Sequence, residues 1–409
     1  MQTLVFLFYV IIDGKVNRIC SPKLLERENR MNTEVSIARC NSYDPNEVKT
    51  ALLSALEPIG GLAWVTPGMK IAVKVNMMTR IKPERAATTH PQVVFALCEL
   101  LKERGASVIV GDSPGGPFSS AYLSAVYGGT GMRQVLDAGA TLNDDFSIVE
   151  VDYADAVTAK AFPITNYLVA ADAIIDLCKM KTHGLMAFTG ACKNLFGAIP
   201  GLNKSEFHYR YNTHEAFANM LVDVCEYCKP RLSLADAVMT MEGNGPSGGT
   251  PRFMGAILAS FNPHALDLAG AHLMNMTPDD VPTLAAAVKR GLVPARFQDL
   301  KVFGDLESFV IPDFQLTPKH DVKLWGTKNE TLAKILSGMF ASRPRVAREH
   351  CTGCAECKKV CPANAISFRD KRAEIDKKKC IRCFCCQEFC PQGIITVQRP
   401  PIARLLNKR

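Results

Sequence analysis

Eight cysteines near the end of the chain share a spacing that suits iron–sulfur chemistry. The runs CTGCAECKKVCP and CIRCFCCQEFCP both follow the pattern C-x2-C-x2-C-x3-C-P, and the second begins 29 residues after the first. Ile366 and Ile395 coincide at the same offset, which indicates a duplicated unit. Three closely spaced thiolates can wrap one face of a 4Fe-4S cubane, and a fourth must come from farther away.

In ferredoxins with two clusters, the fourth cysteine of each run ligates the cluster of the other run. One predicted cluster therefore takes Cys351, Cys354, Cys357 and Cys390. The other takes Cys380, Cys383, Cys386 and Cys361. A zinc site is the alternative, but zinc takes four ligands in two pairs, without this crossed spacing or the prolines that follow. Cys385 lies off the spacing and is predicted to be a buried thiol rather than a ligand.

A basic, glycine-containing segment, Cys178–His208, is the second place where the sequence indicates chemistry. No acidic residue lies between Asp176 and Glu206, whereas four lysines do: Lys179, Lys181, Lys193 and Lys204. The segment begins where a predicted strand ends, and ligands of open α/β sheets bind at that carboxyl edge. Lysines and glycine-exposed backbone amides suit an anionic ligand, either a carboxylate or a phosphate.

Polar residues that follow other predicted strands are expected at the same edge. Lys181, His183 and Lys193 are predicted to be catalytic, with His183 as the acid because histidine ordinarily titrates near neutral pH. The residues predicted to contact the substrate are Lys74, Asn76, Asp112, Asn194, Lys204, His208, Asp236, Glu242 and Asn244.

Simpler interpretations of these residues stay open. The lysines can be ordinary surface residues. His183 and His208 can bind a metal ion with Cys178 or Cys192, although no established ligand spacing supports this. Cys225 and Cys228 imitate a redox C-x-x-C motif, but they share a helical face with apolar neighbours, which favours core packing.

The elements that position these residues alternate between apolar strands and helical patterns from Glu34 onward. This alternation predicts an α/β domain with a mainly parallel sheet, plus a small C-terminal α+β domain of ferredoxin type with two clusters. A first helix is predicted to begin at Asp44 as N-cap, with Leu53 on its buried face, and a second to be capped by Thr88 or Thr89. The predicted strands are 35–39, 70–76, 107–111, 173–178, 231–238, 255–260 and 300–304.

The same patterns divide the chain into segments. Residues 1–30 have no clear period and are predicted to be an extension outside the fold, whereas 31–310 form the α/β domain. A connector over 311–345 and the cysteine-rich domain over 346–398 follow, and 399–409 form a basic tail. The N-terminal apolar run is well short of the roughly 20 residues of a membrane span, and it lacks the basic start of a signal peptide.

Composition and charge exclude several classes of protein. Apolar residues at 47% and charged residues at 22% are ordinary for a globular protein. The net charge of +8 belongs to residues 343–409, which carry a surplus of ten positive charges, so it does not indicate a nucleic-acid-binding face. Sixteen cysteines favour a reducing compartment, and the cytoplasm is predicted. The basic surplus suits an acidic electron donor such as a ferredoxin or flavodoxin, although Lys377–Lys379 can equally be a solvated turn.

Several stretches resemble the domain-of-unknown-function family numbered 362. They are KVNMMTR, TTHPQVV, GDSPGG, KMKTHGLMAFTGACKNLFGAIPGLNKSEFH and DAVMTMEGNGPSGGTPR, and the resemblance covers roughly Thr33–Val310. Members of that family often carry a C-terminal two-cluster ferredoxin domain, so the resemblance implies an iron–sulfur protein. It implies no particular reaction and no catalytic residue.

These observations lead to one main hypothesis and two alternatives. The main hypothesis is a ferredoxin-coupled oxidoreductase in which the clusters pass single electrons to an anionic organic substrate in the α/β domain. Alternatively, the protein is a non-catalytic electron-transfer adaptor between partner proteins, or the clusters only stabilise the C-terminus.

Overall fold

The computed structural model describes residues 32–317 and 342–398. Before residue 32 it describes only the backbone of two antiparallel strands, β1 (Tyr9–Ile12) and β2 (Lys15–Arg18). The rest of the predicted N-terminal extension, most of the predicted connector and the predicted basic tail lie outside the described residues.

One nine-stranded sheet forms the centre of the α/β domain. In chain order its strands are β3 (Glu34–Arg39), β4 (Lys70–Val75), β5 (Ser107–Gly111), β6 (Thr141–Leu142), β9 (Ala173–His183), β10 (Ala187–Thr189), β11 (Leu232–Glu242), β12 (Thr250–Ser260) and β13 (Lys301–Phe303). Two further strands, β7 (Ile148–Asp152) and β8 (Ala161–Thr165), form a separate antiparallel hairpin. All seven predicted strands are present, and β9, β11 and β12 are longer than predicted.

The sheet is mainly parallel, as predicted. Its spatial order is β13–β3–β12–β11–β9–β4–β5–β6, with β10 folded back on the end of β9. The neighbours from β11 to β6 run parallel, and so do β13 and β3, whereas β12 is antiparallel to both of its neighbours. The carboxyl ends of β4, β5, β9 and β11 therefore lie at one edge of the sheet, where ligands of α/β domains bind.

Helices cover both faces of the sheet. They are α1 (Pro45–Leu56), α2 (Pro91–Glu103), α3 (Ser120–Gly129), α4 (Asn166–Val169), α5 (Ala191–Asn194), α6 (Asn203–Arg210), α7 (His214–Cys228), α8 (Pro263–Leu273) and α9 (Pro282–Lys289). Short 3-10 turns of this domain lie at Glu57–Ile59, Pro83–Arg85, Met132–Leu136, Leu195–Ala198, Pro278–Asp280, Phe297–Asp299 and Leu306–Phe309.

Alternating residues of the strands build two separate cores. Ile71 and Val73 of β4 pack with α1 and α2, whereas Ala72 packs on the opposite face with α7 and α8. This is the arrangement expected when successive strand side chains point to opposite faces and both faces are covered. The result is a three-layer α/β domain in which both faces of the central strands are covered.

The first helix begins as predicted but buries a narrower face. The Asp44 side chain accepts hydrogen bonds from the backbone N–H groups of Asn46 and Glu47 at 3.0 and 3.1 Å. Leu53, which was predicted to be buried, is 49% exposed. The buried stripe runs through Val48 and Leu52, and Leu53 lies about 100° around the helix from Leu52.

The predicted threonine cap of the second helix is wrong. His90 caps α2, and its side chain accepts from the backbone N–H of Gln92 at 3.2 Å. Thr89 instead connects two strand ends, because its hydroxyl accepts from the Asn76 N–H and donates to the Leu177 carbonyl. Tertiary hydrogen bonds at the sheet edge thus compete successfully with the local capping preference.

The C-terminal domain shows the sequence duplication in its backbone. Its elements are β14 (Arg343–Val346), a 3-10 turn (Arg348–His350), α10 (Glu356–Lys359), β15 (Ile366–Arg369), β16 (Arg372–Ile375), α11 (Cys385–Glu388) and β17 (Ile395–Gln398). Ala355 and Phe384, which correspond in the repeat, both have positive φ, 65° and 61°, immediately before α10 and α11. Strands β14 and β17 pair with each other, as do β15 and β16.

Candidate active site

The eight repeat cysteines line two separate small cavities. One cavity is lined by Cys351, Cys354, Cys357 and Cys390. The other is lined by Cys361, Cys380, Cys383 and Cys386. Each cavity thus combines three cysteines of one run with the last cysteine of the other, which is the grouping predicted from the spacing. Cys385 lines neither of these two cavities and is buried.

The surroundings of these cysteines suit negatively charged sulfur atoms. The Ala365 N–H donates to Cys361 Sγ at 3.3 Å, and the Ala373 N–H donates to Cys351 Sγ at 3.4 Å. Such hydrogen bonds to sulfur are one way in which a protein tunes an iron–sulfur cluster. Cys354 in the first set is exposed, whereas no cysteine of the second set is. The first cavity is therefore closer to solvent.

The C-terminal domain packs directly against the carboxyl edge of the sheet. The Gln387 side-chain amide, on α11, donates to Asn244 Oδ1 at 2.7 Å and to the Gly245 carbonyl at 2.9 Å. Phe389 fills the space beside Gly115, where an added Cβ would lie 1.7 Å from its ring. Asn244, predicted to contact substrate, therefore belongs to the contact between the two domains.

Five predicted basic residues gather beneath α11, and we call them the basic cluster. Lys181 and His183 come from the end of β9, Lys193 from α5, and Lys204 and His208 from α6. None is more than 6% exposed. The structure thus brings together residues that are up to 27 positions apart in the chain, from the end of β9 to α6.

Two lysines of this cluster have only uncharged partners within the described residues. Lys181 Nζ donates to Asn76 Oδ1 at 2.9 Å and also to the Ala87 carbonyl. Lys204 Nζ donates to the Ser113 carbonyl at 2.7 Å. Because burial disfavours the charged form, the pKa of Lys181 and that of Lys204 are each lowered to about 7. Both lysines can therefore gain or lose a proton near neutral pH.

A carboxylate from the C-terminal domain lies against the basic cluster. Glu388 Oε2 is 3.6 Å from His183 Nε2, and the Glu388 side chain is 14% exposed. Burial alone would raise the pKa of Glu388, but the Lys193 ammonium and the His183 Nε2–H lower it well below its usual value. The basic cluster therefore stabilises the Glu388 carboxylate.

The histidines of the cluster are neutral near pH 7. Burial lowers the pKa of His208 to about 3 and also lowers the pKa of His183. His183 Nδ1 accepts from the backbone N–H groups of Leu185 and Met186 at 3.0 and 3.2 Å, so the remaining proton lies on Nε2. His183 is consequently a hydrogen-bond donor rather than the acid that its ordinary pKa suggested, and the positive charge opposite Glu388 comes from Lys193.

Two other predicted residues are neutralised by carboxylates from neighbouring strands. Lys74 Nζ lies 2.9 Å from Asp112 Oδ1, and Lys179 Nζ lies 2.8 Å from Asp236 Oδ2. The basic segment lacks acidic residues in sequence, but β5 and β11 supply them in space. These pairs are fully buried, so they hold the sheet edge together rather than offering free cations to a ligand.

Two predicted amide side chains connect the basic cluster to the sheet. Asn76 Nδ2 donates to Asn194 Oδ1 at 3.0 Å, and Asn194 Nδ2 donates to Asp176 Oδ1 at 2.6 Å. Lys181 completes this chain through Asn76 Oδ1. By contrast, Glu242 turns away from the cluster, because its Oε2 accepts from the Gln315 N–H at 3.1 Å.

Comparison with known proteins identifies the family. A curated relative, Thylakoid-associated protein sll1697 from Synechocystis sp. (strain ATCC 27184 / PCC 6803 / Kazusa), is 35% identical over 266 residues, which cover 64% of this chain and 80% of the relative. The family described as "Domain of unknown function (DUF362)" matches residues 71–272. The chain belongs to the DUF362 family.

Two further comparisons describe the domains of this DUF362 protein. A 4Fe-4S dicluster domain matches residues 343–391, so the C-terminal domain is a ferredoxin-type iron–sulfur domain that supports electron transfer. Among solved structures, the lactate racemase apoprotein from Thermoanaerobacterium thermosaccharolyticum matches with a TM-score of 0.39 and 12% identity. That match covers 66% of this chain and 62% of the racemase chain. Within the described residues of the DUF362 protein, no helix has the length and hydrophobicity that crossing a membrane requires.

Sequence reasoning missed two residues at this site of the DUF362 protein. No sequence pattern singled out Glu388 or Gln387, although both contact the α/β domain. The sequence carries one weak signal for Glu388, which is the only acidic residue in the run from Cys380 to Cys390.

The buried Lys179–Asp236 pair gives a first testable prediction for the DUF362 protein. The side chains of Lys179 and Asp236 are 1% and 0% exposed, so Lys179→Met leaves a buried carboxylate without its counter-charge. We expect the free energy of unfolding to fall by about 3–5 kcal/mol. Urea unfolding under anaerobic conditions, followed by circular dichroism, measures this change.

A surface pair provides the matched control. Lys289 and Glu215 are 78% and 75% exposed, so Lys289→Met should cost no more than about 1 kcal/mol. Equal, small losses in the two variants would contradict the assignment of Lys179–Asp236 as a structural pair.

Proposed function

We propose that this protein is a ferredoxin-coupled oxidoreductase that reduces an anionic organic substrate at the basic cluster. Two 4Fe-4S clusters, held by the two crossed sets of cysteines, receive single electrons and deliver them to the substrate. The position of the ferredoxin-type domain on the carboxyl edge supports this proposal, because α11 lies directly over the basic cluster.

The observation that carries the proposal is the place of the Glu388 carboxylate. Glu388 lies two residues from Cys386 and two residues from Cys390, so the carboxylate that reaches the basic cluster belongs to the iron-binding segment itself. A site that lowers the pKa of one carboxylate can hold another, which favours an organic acid as substrate. A short path from a cluster to a bound anion is what direct electron transfer needs.

The two cavities suggest an order for the electrons. The set that includes the exposed Cys354 receives electrons from an external reduced carrier. The second set, whose Cys386 lies on α11 together with Glu388, delivers them to the substrate. An acidic ferredoxin or flavodoxin is the donor class that the basic C-terminal domain fits, because the surplus of positive charge in residues 343–409 steers an acidic partner.

The clusters and the basic cluster together can supply the electrons and protons that the proposed reaction consumes. A two-electron reduction takes one electron from each cluster and two protons, and the external carrier then restores both electrons. Lys181 supplies one proton and Lys204 supplies the other, since the pKa of each is about 7, and both regain a proton from solvent. His183 donates a hydrogen bond through Nε2, and Lys193 holds the negative charge of the substrate. We place this chemistry in the cytoplasm, because a reducing compartment preserves free thiols and clusters.

Small-molecule analysis of purified protein tests the proposal. The wild-type protein is purified anaerobically and denatured, and the released molecules are identified by mass spectrometry beside those from Lys193→Met. An organic anion enriched in the wild type but not in Lys193→Met is expected. Lys102→Met, which changes an exposed lysine of α2, is the matched control and should retain the ligand. Absence of any enriched anion would instead favour an electron-transfer adaptor.

The role of Lys181 predicts a pH dependence. Dithionite-reduced protein is mixed with the identified ligand, and reoxidation of the clusters is followed by their visible absorbance. Because the ammonium form of Lys181 is the acid, the reoxidation rate should fall as pH rises through about 7. Lys181→Arg keeps the charge but cannot release its proton, so its rate should be lower and nearly independent of pH there. A wild-type profile as flat as that of Lys181→Arg would remove Lys181 as the proton donor.

A further inference from the structure

A second group of potential ligands lies outside the basic cluster. Cys192 of α5, Cys225 of α7 and His264 of α8 place two sulfur atoms and one imidazole nitrogen within 4.8 Å of one another. All three residues are at most 1% exposed. They come from three helices on one face of the sheet, so only the packing of those helices brings them together.

We propose that Cys192, Cys225 and His264 bind a zinc ion. Two thiolates and one imidazole are a ligand set that zinc takes in proteins, with Zn–S distances of about 2.3 Å and Zn–N distances of about 2.0 Å. Soft sulfur ligands disfavour magnesium and calcium at this position. The site is separate from the iron cysteines, none of which belongs to it.

The neighbours of His264 orient it as a metal ligand. His264 Nε2 lies 3.0 Å from Glu226 Oε1, and the ring is buried beside the thiols of Cys192 and Cys225. A carboxylate that holds the outer nitrogen of a ligating histidine is a recurrent feature of zinc sites, because it fixes the tautomer and the ring orientation.

The backbone around Cys192 is also fixed. Asp267, one turn along α8 from His264, accepts from the backbone N–H groups of Ala191 and Cys192 at 2.6 and 3.0 Å. These bonds tie the start of α5 to α8 and hold Cys192 against His264. The geometry of the three ligands is therefore set before a metal binds, as tight binding requires.

A cavity gives this site access to small molecules. A volume of about 440 Å³ at the amino edge of the sheet is lined by Cys225, Glu226 and His264, together with Trp64 and Arg231. Structural zinc has four protein ligands, whereas a three-ligand site leaves one position for water or substrate. Because two of the three ligands also line this cavity, a molecule inside it can supply the fourth ligand.

Metal analysis tests this inference on the whole protein. Protein purified anaerobically, incubated with Zn²⁺ and dialysed should contain about one zinc and about eight irons per chain. X-ray absorption at the zinc edge, which iron does not obscure, should give two sulfur neighbours at about 2.3 Å and lighter neighbours at about 2.0 Å. Zinc surrounded only by sulfur, or wild-type protein that retains no zinc, would overturn the proposal.

Variants show whether the zinc is at the proposed position. Cys192→Ser and Cys225→Ser should each lose zinc while their iron content and circular dichroism stay unchanged. Cys228→Ser is the matched control, because Cys228 lies in the same helix as Cys225, is also buried, and does not belong to the group. Retention of zinc in both Cys192→Ser and Cys225→Ser would contradict the inference. If these variants fail to fold, the absorption spectrum of the wild type still decides between the outcomes.

Discussion

Replacing Cys361 with alanine should release the cluster that Cys380, Cys383 and Cys386 hold. The cluster held by Cys351, Cys354 and Cys357, the other cysteines of its own run, should stay intact. Cys361 lines the same cavity as Cys380, Cys383 and Cys386. Loss of one thiolate should therefore release one cubane, and the iron content should fall from about eight to about four per chain. Anaerobic iron analysis and electron paramagnetic resonance of the reduced protein measure this loss.

Double variants separate the crossed arrangement from a simple one. If the sets cross, Cys361→Ala with Cys383→Ala affects one cluster and keeps about four irons, whereas Cys361→Ala with Cys357→Ala affects both and keeps almost none. An uncrossed arrangement gives the reverse result. Cys385→Ala is the matched control, and it should retain the full iron content because Cys385 lines neither cavity.

The second large effect is expected from changing Lys181 and His183 together. Lys181→Met removes the proposed proton donor, and His183→Asn removes the Nε2–H donor while keeping an acceptor for the Leu185 and Met186 backbone. Reoxidation of the reduced clusters by the ligand should slow about 10²–10⁴-fold, the usual contribution of a positioned acid. Iron content and cluster reduction potentials should not change, because neither residue ligates iron.

Controls make that result specific to the site. Lys102→Met should reoxidise at the wild-type rate, since Lys102 is exposed on α2, in the other helical layer. Full activity of the double variant would remove the basic cluster as the reaction site. A shift in cluster potential in the double variant would instead indicate an effect on the electron carrier.

Some features were predictable because their cause is local in sequence. The cysteine spacing predicts the grouping of Cys357 with Cys390 through chemistry alone, since a cubane dictates how its ligands are arranged. The Asp44 cap depends on residues within three positions of it. Likewise, Lys181 and His183 come soon after residues 173–178, whose apolar pattern predicts a strand, so their place at the sheet edge could be predicted.

Other features depend on which elements lie side by side, and the sequence does not encode this in any short pattern. Lys74 is not a free cation because Asp112, directly after β5, lies beside it, and the order of strands could not be predicted from the sequence. His183 lost its role as an acid because burial lowers its pKa. Glu388 lies 205 positions from His183, so only the docking of the domains reveals their contact.

Reduced wild-type protein, mixed anaerobically with the small-molecule fraction of a cell extract, gives the most direct test of electron delivery to a substrate. We expect the absorbance of the oxidised clusters to return, and one anionic component to be consumed at one molecule per two electrons. The Lys181→Met/His183→Asn variant should stay reduced in the same extract. Wild-type protein that stays reduced as long as it does in buffer, or that reoxidises no faster than the variant, would contradict the account.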